Sequence, residues 1–431
     1  MARLCTLLVA LCVSLAALAE PPAESPALPP LPQPLTLTDA LELSHPELPR
    51  LLRANARASA ARAELLAAEA LSGVRMTASG RLRAVDPSYV SLNSSNNDSS
   101  ATLSLRKRLY DFGYSESLEA SAGLAVDAGA WDVLQARQEA RLAITRAYFD
   151  VVLSDLQFAR DNEAMSIAFI NADRAGDRNE LGQLSDIDLL EAEAEYQEVR
   201  RQRFASQNLQ LLTRSRLAVA MGRPDDLVSE VVTPRVELPE EDPQDFAAFW
   251  AEVLQGNPEL LALQAQRTAA REKLEAARAA QGPVLSAELD ASVYNRMTSS
   301  THPIAAGLVL EIPILTGGSR DAGIARAQAA VSEADAALQE TRLRLRQQAT
   351  ELWAMRSTLR ADLQAFRVME QYRDLYLDRS RALYELEVKA DLGDAVTQTT
   401  AVRLRLAGAL FDWAMNEARL QALSGKLLED S

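Results

Sequence analysis

Cysteine and histidine are nearly absent from this sequence. Its 431 residues hold two cysteines, Cys5 and Cys12, and two histidines, His45 and His302. So small a set excludes a disulfide scaffold and a Cys-rich zinc site, and leaves little for a His- or Cys-based active centre. Aromatic residues are 5% of the chain, and 17 glycines with 18 prolines are too few for a collagen-like or low-complexity protein. Basic blocks are missing too. The formal net charge is −15, which argues against nucleic-acid binding through phosphate neutralisation. Past the N-terminus no run approaches 18 consecutive apolar residues, so a spanning helix is not expected. Insertion as a β-barrel, the other spanning solution, stays open beside a soluble chain.

What is present starts with a leader. Residues 1–19 read as a secretory signal peptide: Arg3 is the charged region, Leu4 to Leu15 the apolar one, and Ala17-Leu18-Ala19 the cleavage motif. The run is short for a membrane anchor. Cys12 raises a lipoprotein alternative, but Leu11 precedes it where a small residue is needed. Cleavage after Ala19 would remove both cysteines. Residues 20–34 are Pro-rich and read as an extended lead-in.

Beyond that point the prolines inform by their absence. None occurs from Ser88 to Arg223 or from Ile314 to the C-terminus, and both tracts are rich in Ala, Leu, Arg, Glu and Gln. Apolar residues recur at three- and four-residue spacing, as in Leu142, Ala143, Tyr148, Phe149, Val152 and Leu156, so long coiled-coil-like helices are expected. A helix of about 60 residues would be roughly 90 Å long, more than a globular core needs.

The two halves also repeat each other. Leu41 to Leu48 (LELSHPEL) returns as Leu254 to Leu260 (LQGNPEL), each followed by an Ala-rich helix, 49–72 and 259–281. Each helix runs into alternating segments. In the second half, Leu285, Ala287, Leu289, Ala291 and Val293 alternate with Ser286, Glu288, Asp290, Ser292 and Tyr294. After a turn-rich loop, Ala306, Leu308, Leu310, Ile312 and Ile314 share one face. In the first half, Met76, Ala78, Gly80, Leu82 and Ala84 alternate with polar residues, and past an Asn- and Ser-rich loop Leu103, Leu105 and Leu109 alternate with Ser104, Arg106, Arg108 and Tyr110. These strands have the length and pattern of barrel strands, and equally that of half-buried hairpins on a soluble helical domain. Four strands cannot close a barrel and open edges are not tolerated in lipid, so a spanning sheet requires several protomers to pool strands.

In order and twice over, these features resemble the TolC-type outer-membrane efflux protein family, over Leu35 to about Leu427. The opening Leu35-Thr36-Leu37-Thr38-Asp39-Ala40-Leu41 is similar to that family's start, as is Asn257-Pro258-Glu259-Leu260. So are the strand exits, Leu109-Tyr110-Asp111-Phe112-Gly113 and Pro313-Ile314-Leu315-Thr316-Gly317-Gly318, although Arg108 stands where the family usually has proline in the first repeat. The resemblance implies a mainly α protein with a small β part: long helices forming a trimeric α-barrel, plus four strands per protomer pooled into a 12-stranded transmembrane β-barrel. The expected organisation is structural repeat 1 over 35–223, an inter-repeat linker over 224–245, structural repeat 2 over 246–427, and a tail over 428–431.

The family's hairpin motifs carry over residue by residue. In Arg178 to Ala192, Gly182, Asp188 and Ala192 fit the first hairpin without a gap. In Tyr384 to Asp394, Tyr384 and Lys389 match, Glu387 replaces a glycine, and Asp394 needs one inserted residue. By resemblance Tyr384 and Lys389 bond Asp188 on a neighbouring coil and hold a periplasmic gate shut. Asp391 and Asp394 would form acidic entrance rings that select cations, and an adaptor would dock around Leu181, Gly182 and Ser185. All of these could instead be ordinary helix-surface residues.

Function follows as an expectation: a passive outer-membrane exit duct of a tripartite efflux or type I secretion system, reaching into the periplasm. It would work as a homotrimer in outer-membrane lipid with a periplasmic adaptor and an inner-membrane pump, and without enzyme activity, cofactor, metal or nucleic acid. The rival is a soluble periplasmic coiled-coil scaffold or adaptor, which should have one helical hairpin and Gly-rich β domains rather than two repeats with a strand pair each.

Overall fold

The structure is a computed structural model that describes residues 29–86, 95–236, 238, 245–297, 301–386 and 392–428. The leader, the first part of the lead-in, Lys389, Asp391 and the last three residues of the tail lie outside the described residues. In chain order the elements are α1 (Leu37–Glu42), α2 (Pro49–Glu69), β1 (Val74–Arg81), β2 (Ser100–Tyr110), α3 (Tyr114–Glu180) and α4 (Asp186–Ala220). The second half follows with α5 (Phe246–Gly256), α6 (Pro258–Ala279), β3 (Val284–Tyr294), β4 (Ile304–Glu311), α7 (Ser319–Glu385) and α8 (Leu392–Ser424). α3 and α7 are each 67 residues, about 100 Å of helix, and each follows a helix and a strand pair.

Local chemistry sets the helix starts. Thr36 and Asp39 form a reciprocal capping box on α1. Asn257 caps α6 by accepting from Leu260 N–H at 3.1 Å, with Pro258 as the first helical residue. The equivalent Pro46 does not open α2, which starts at Pro49. A helix beginning at Pro46 would place Pro49 where an N–H is required and where its ring meets a carbonyl. Residues 45–47 form a turn instead, with Glu47 N–H donating to His45 Nδ1 at 2.9 Å.

The four strands make one antiparallel sheet in the order β1-β2-β3-β4. Below it, α3 packs against α2 and α6 near the sheet, and against α4 and α8 farther away; α7 completes the layer on α6 and α8. The core lies midway along the long helices. There Leu35, Tyr148, Val151, Leu217, Met221 and Phe411 are buried together, Phe149 stacks on Phe411 at 4.5 Å, and the Tyr148 hydroxyl lies 2.8 Å from the Leu35 carbonyl oxygen. A second cluster of Phe249, Val253, Leu260, Leu345, Ala349 and Leu420 fastens α5 to α6, α7 and α8.

The layer has open flanks. Among the described residues no helix covers the outer side of α4, where Phe204, Leu211, Leu212 and Val219 are exposed. Nor is the outer side of α7 covered, where Val368, Tyr372 and Leu375 form an exposed stripe. Exposed apolar side chains at helical spacing run along both of these surfaces.

Candidate functional site

The sheet sorts its side chains by face. Cross-strand pairing lines up Met76, Leu105, Leu289 and Ala306 in one row, and Ala78, Leu103, Ala291 and Ile304 in the next. Leu308 shares that apolar face, opposite Ala287. The other face carries Arg75, Arg106, Glu288 and Gly307, then Thr77, Ser104, Asp290 and Ala305. Glu288 and Asp290 thus point away from Leu289 and Leu308. On β3 the polar face is the more covered one, with Ser292 buried and Val293 exposed, so the sheet curls toward its polar side. Arg106 pairs with Glu288 at 2.6 Å, and the Thr102 and Ser292 hydroxyls meet at 3.0 Å on that concave face.

Two details of the alternation differ from expectation. A bulge between Arg108 and Tyr110 adds a residue to β2, so Tyr110 pairs with Leu285 on the apolar face instead of following Arg108 to the polar one. The strands are also shorter than the pattern. Leu82 and Ala84 fall past β1, and Ile312 and Ile314 past β4, where Pro313 has no N–H for a ladder. Lys107 stands on the apolar face near the helix-side end of β2, a place from which a lysine reaches a polar boundary with its stem against apolar neighbours.

At the far end of the helices, the first hairpin is tightly closed. Gly182 N–H donates to the Asn179 carbonyl and Gln183 N–H to the Arg178 carbonyl, both at 2.8 Å, which ends α3 with Gly182 at φ +70°. Ser185 caps α4: its hydroxyl accepts from Asp188 N–H at 3.2 Å and donates to the Asp188 carboxylate at 2.8 Å. Asn179 Nδ2 spans the turn to Leu184 O and Asp186, each at 3.0 Å. Leu181, at 71% exposure, is the apolar crest of this tip, with Ile187 and Leu190 exposed beside it.

The second tip is described up to Leu386 and again from Leu392. Tyr384 is exposed in the last turn of α7 and lines a groove of about 750 Å³ with Ile167, Ile170 and Arg174 of α3 and Gly393 of α8. Gly393 is there for space: a β-carbon would come within 2.7 Å of the Ile167 side chain. Asp394 sits in the first turn of α8, where its carboxylate accepts from Gln398 Nε2 at 3.4 Å. Leu181, Gly182, Ser185 and Asp188 are thus gathered on one tip, and Tyr384 and Asp394 on the other. Among the described residues no hydrogen bond joins Asp188 to Tyr384 within the chain. The groove and the role of Gly393 were not foreseen, because they arise between residues more than 200 apart in sequence.

Among the described residues no group of His, Cys, Asp or Glu is arranged to hold a metal ion. Also among them, no helix is long and apolar enough to cross a membrane.

The fold is similar to that of solved bacterial outer-membrane proteins. The chain superposes on the Campylobacter jejuni CmeC outer membrane channel with a TM-score of 0.76 at 15% identity, over 91% of this chain and 86% of that one. It superposes on the outer membrane protein VceC of Vibrio cholerae with 0.70 at 18% identity, over 91% and 96%. For a membrane protein from Pseudomonas aeruginosa the values are 0.73 and 20%, over 90% and 89%. In sequence, residues 250–426 match the family model of the outer membrane efflux proteins. That match covers the second repeat, and the TolC-type resemblance read from the sequence is carried by it together with the fold. No curated protein sequence matches the chain.

Proposed function

We propose that this protein is the outer-membrane exit duct of an efflux or secretion system. One observation carries the reading: a four-stranded sheet with one apolar face that carries Lys107 only near its helix-side end, a charged concave face and two edge strands unpaired among the described residues, set on helices of about 100 Å. Such a sheet suits lipid outside and water inside, but only if its edges are paired. Small spanning barrels start at about eight strands, so copies of the chain must join β4 of one to β1 of the next. Three copies supply twelve strands, and the exposed stripes on α4 and α7 meet in the same arrangement to close the helical tunnel. A soluble scaffold leaves the apolar face without a partner.

In this reading the strands lie in the outer membrane and the helices cross the periplasm. The duct is passive, and an inner-membrane pump drives cargo into it through a periplasmic adaptor. The adaptor docks on the tip around Leu181, Gly182 and Ser185. Asp188 with Tyr384 and Lys389 holds the resting mouth, and Asp391 and Asp394 ring the entrance. Fractionation is the test. A heat-modifiable trimer in the outer membrane supports the proposal, and a wholly soluble periplasmic monomer rejects it.

A further inference from the structure

Four arginines meet on the concave side where strands give way to helices. Arg75, Arg106, Arg108 and Arg320 line one cavity of about 280 Å³, and among the described residues Glu311 is the only acid in its wall. The wall also includes the turn residues that lead from α2 into β1 and from α6 into β3, so the cavity sits at the neck between the two parts of the fold.

Three observations single this cluster out. First, Arg75 lies directly opposite Arg106 in the β1–β2 register. Like charges facing each other across a strand pair destabilise it, and a chain of net charge −15 has acids to spare for that position. Second, only part of the positive charge is met. Arg106 pairs with Glu288, and Arg108 pairs with Asp111 at 3.0 Å. Arg320 donates to the Gln281 and Pro313 carbonyls at 2.9 and 3.5 Å, and Arg75 has no acid partner among the described residues. Third, the repeat itself marks Arg108 as a departure. Arg108 and Pro313 stand at the same distance before Gly113 and Gly318, the left-handed residues that cap the two long helices, and both line the cavity. One repeat keeps a proline that contributes no charge, and the other places a guanidinium there.

We propose that this neck is a binding belt for multivalent oxyanions, with Arg75 as its free guanidinium and Arg106, Arg108 and Arg320 held in place around it. Guanidinium forks match phosphate and carboxylate geometry, and an anion between Arg75 and Arg106 removes the repulsion that the bare register creates. Because the cavity opens on the concave face, its ligand comes from the lumen and not from lipid. The belt would slow or select anionic solutes at the neck. The proposal rests on the duct reading.

The test uses the full-length protein in planar bilayers, with inorganic tripolyphosphate as the probe, and the same protein in detergent for calorimetric titration. Wild-type current should be blocked by tripolyphosphate. Arg75→Gln should weaken both block and binding at least tenfold, a loss of about 1.4 kcal/mol or more. Arg75→Lys, which keeps the charge without the fork, should retain part of the affinity. Replacing Arg108 by Pro, the residue of the second repeat, should weaken block as well. Current with no block, or block equal in wild type and Arg75→Gln, overturns the belt and leaves the duct standing. No current from wild-type protein and none from the Asp188→Ala, Tyr384→Phe variant overturns the duct and the belt with it.

Discussion

Reversing the polarity of one sheet position puts the membrane reading under direct strain. β3 has eleven residues from Val284 to Tyr294. At about 3.4 Å per residue it runs for about 37 Å, and a tilt of about 40° leaves a height of about 28 Å, close to the apolar band of a barrel. Leu289 is its middle residue, in a row with Met76, Leu105 and Ala306. An arginine at Leu289 would therefore sit near the bilayer midplane, at a cost of about 2–4 kcal/mol per chain, or about 6–12 kcal/mol in an assembly of three. The matched control is Ser104→Arg, on the concave face opposite Asp290. There the added charge meets water and a carboxylate, and the change should stay within about 0.5 kcal/mol. Urea titration in lipid vesicles, followed by loss of the assembled band on gels, reads both variants. Equal losses from Leu289→Arg and Ser104→Arg would mean that neither face meets lipid.

Other outcomes follow from the tips and the helices. Asp188→Ala combined with Tyr384→Phe should raise single-channel conductance, and unchanged conductance would remove both from the gate. Asp391→Asn with Asp394→Asn should weaken cation preference and block by multivalent cations from the tip side, measured as reversal potential in a salt gradient. Gly182→Ala should cost about 1 kcal/mol in thermal unfolding, because φ is +70° while the space around a new β-carbon is empty. Burial raises the pKa of Asp132, with Arg57 opposing and Glu259 reinforcing the shift. A carboxyl raised in the folded state stabilises below its unfolded pKa and loses that contribution as pH climbs through the folded value. Asp132→Asn should thus flatten the fall in stability from acid to neutral pH, and an unchanged profile would contradict the assignment.

The sequence was most informative where a single period governs many residues. The Ala-rich helices expected at 49–72 and 259–281 appear as Pro49–Glu69 and Pro258–Ala279, and the alternation from Leu285 to Val293 is one sheet face. At the first tip the resemblance marked a turn at Gly182, and the turn is there, whereas the Ser185 cap on α4 was not read from the sequence. Features that depend on register were not legible. Nothing in the spacing of Tyr110 shows the bulge that turns it outward, and nothing local brings Arg75 opposite Arg106 or Arg320 beneath them. The groove beside Tyr384 is likewise a meeting of distant segments, visible only once α3, α7 and α8 are packed.

The central claim is that the two free edges of the sheet pair between chains, and crosslinking tests it most directly. Within one chain β1 and β4 are separated by β2 and β3, about 14 Å at a strand spacing of about 4.8 Å. A disulfide needs α-carbons within about 7 Å, so cysteines on β1 and β4 cannot join inside a chain. Thr77→Cys can be combined in turn with Ala305→Cys, Gly307→Cys and Val309→Cys, all on the concave face, and oxidised in isolated outer membranes. The account predicts that at least one pair gives covalent dimers and a ladder that stops at the trimer. Monomers from every pair would contradict it.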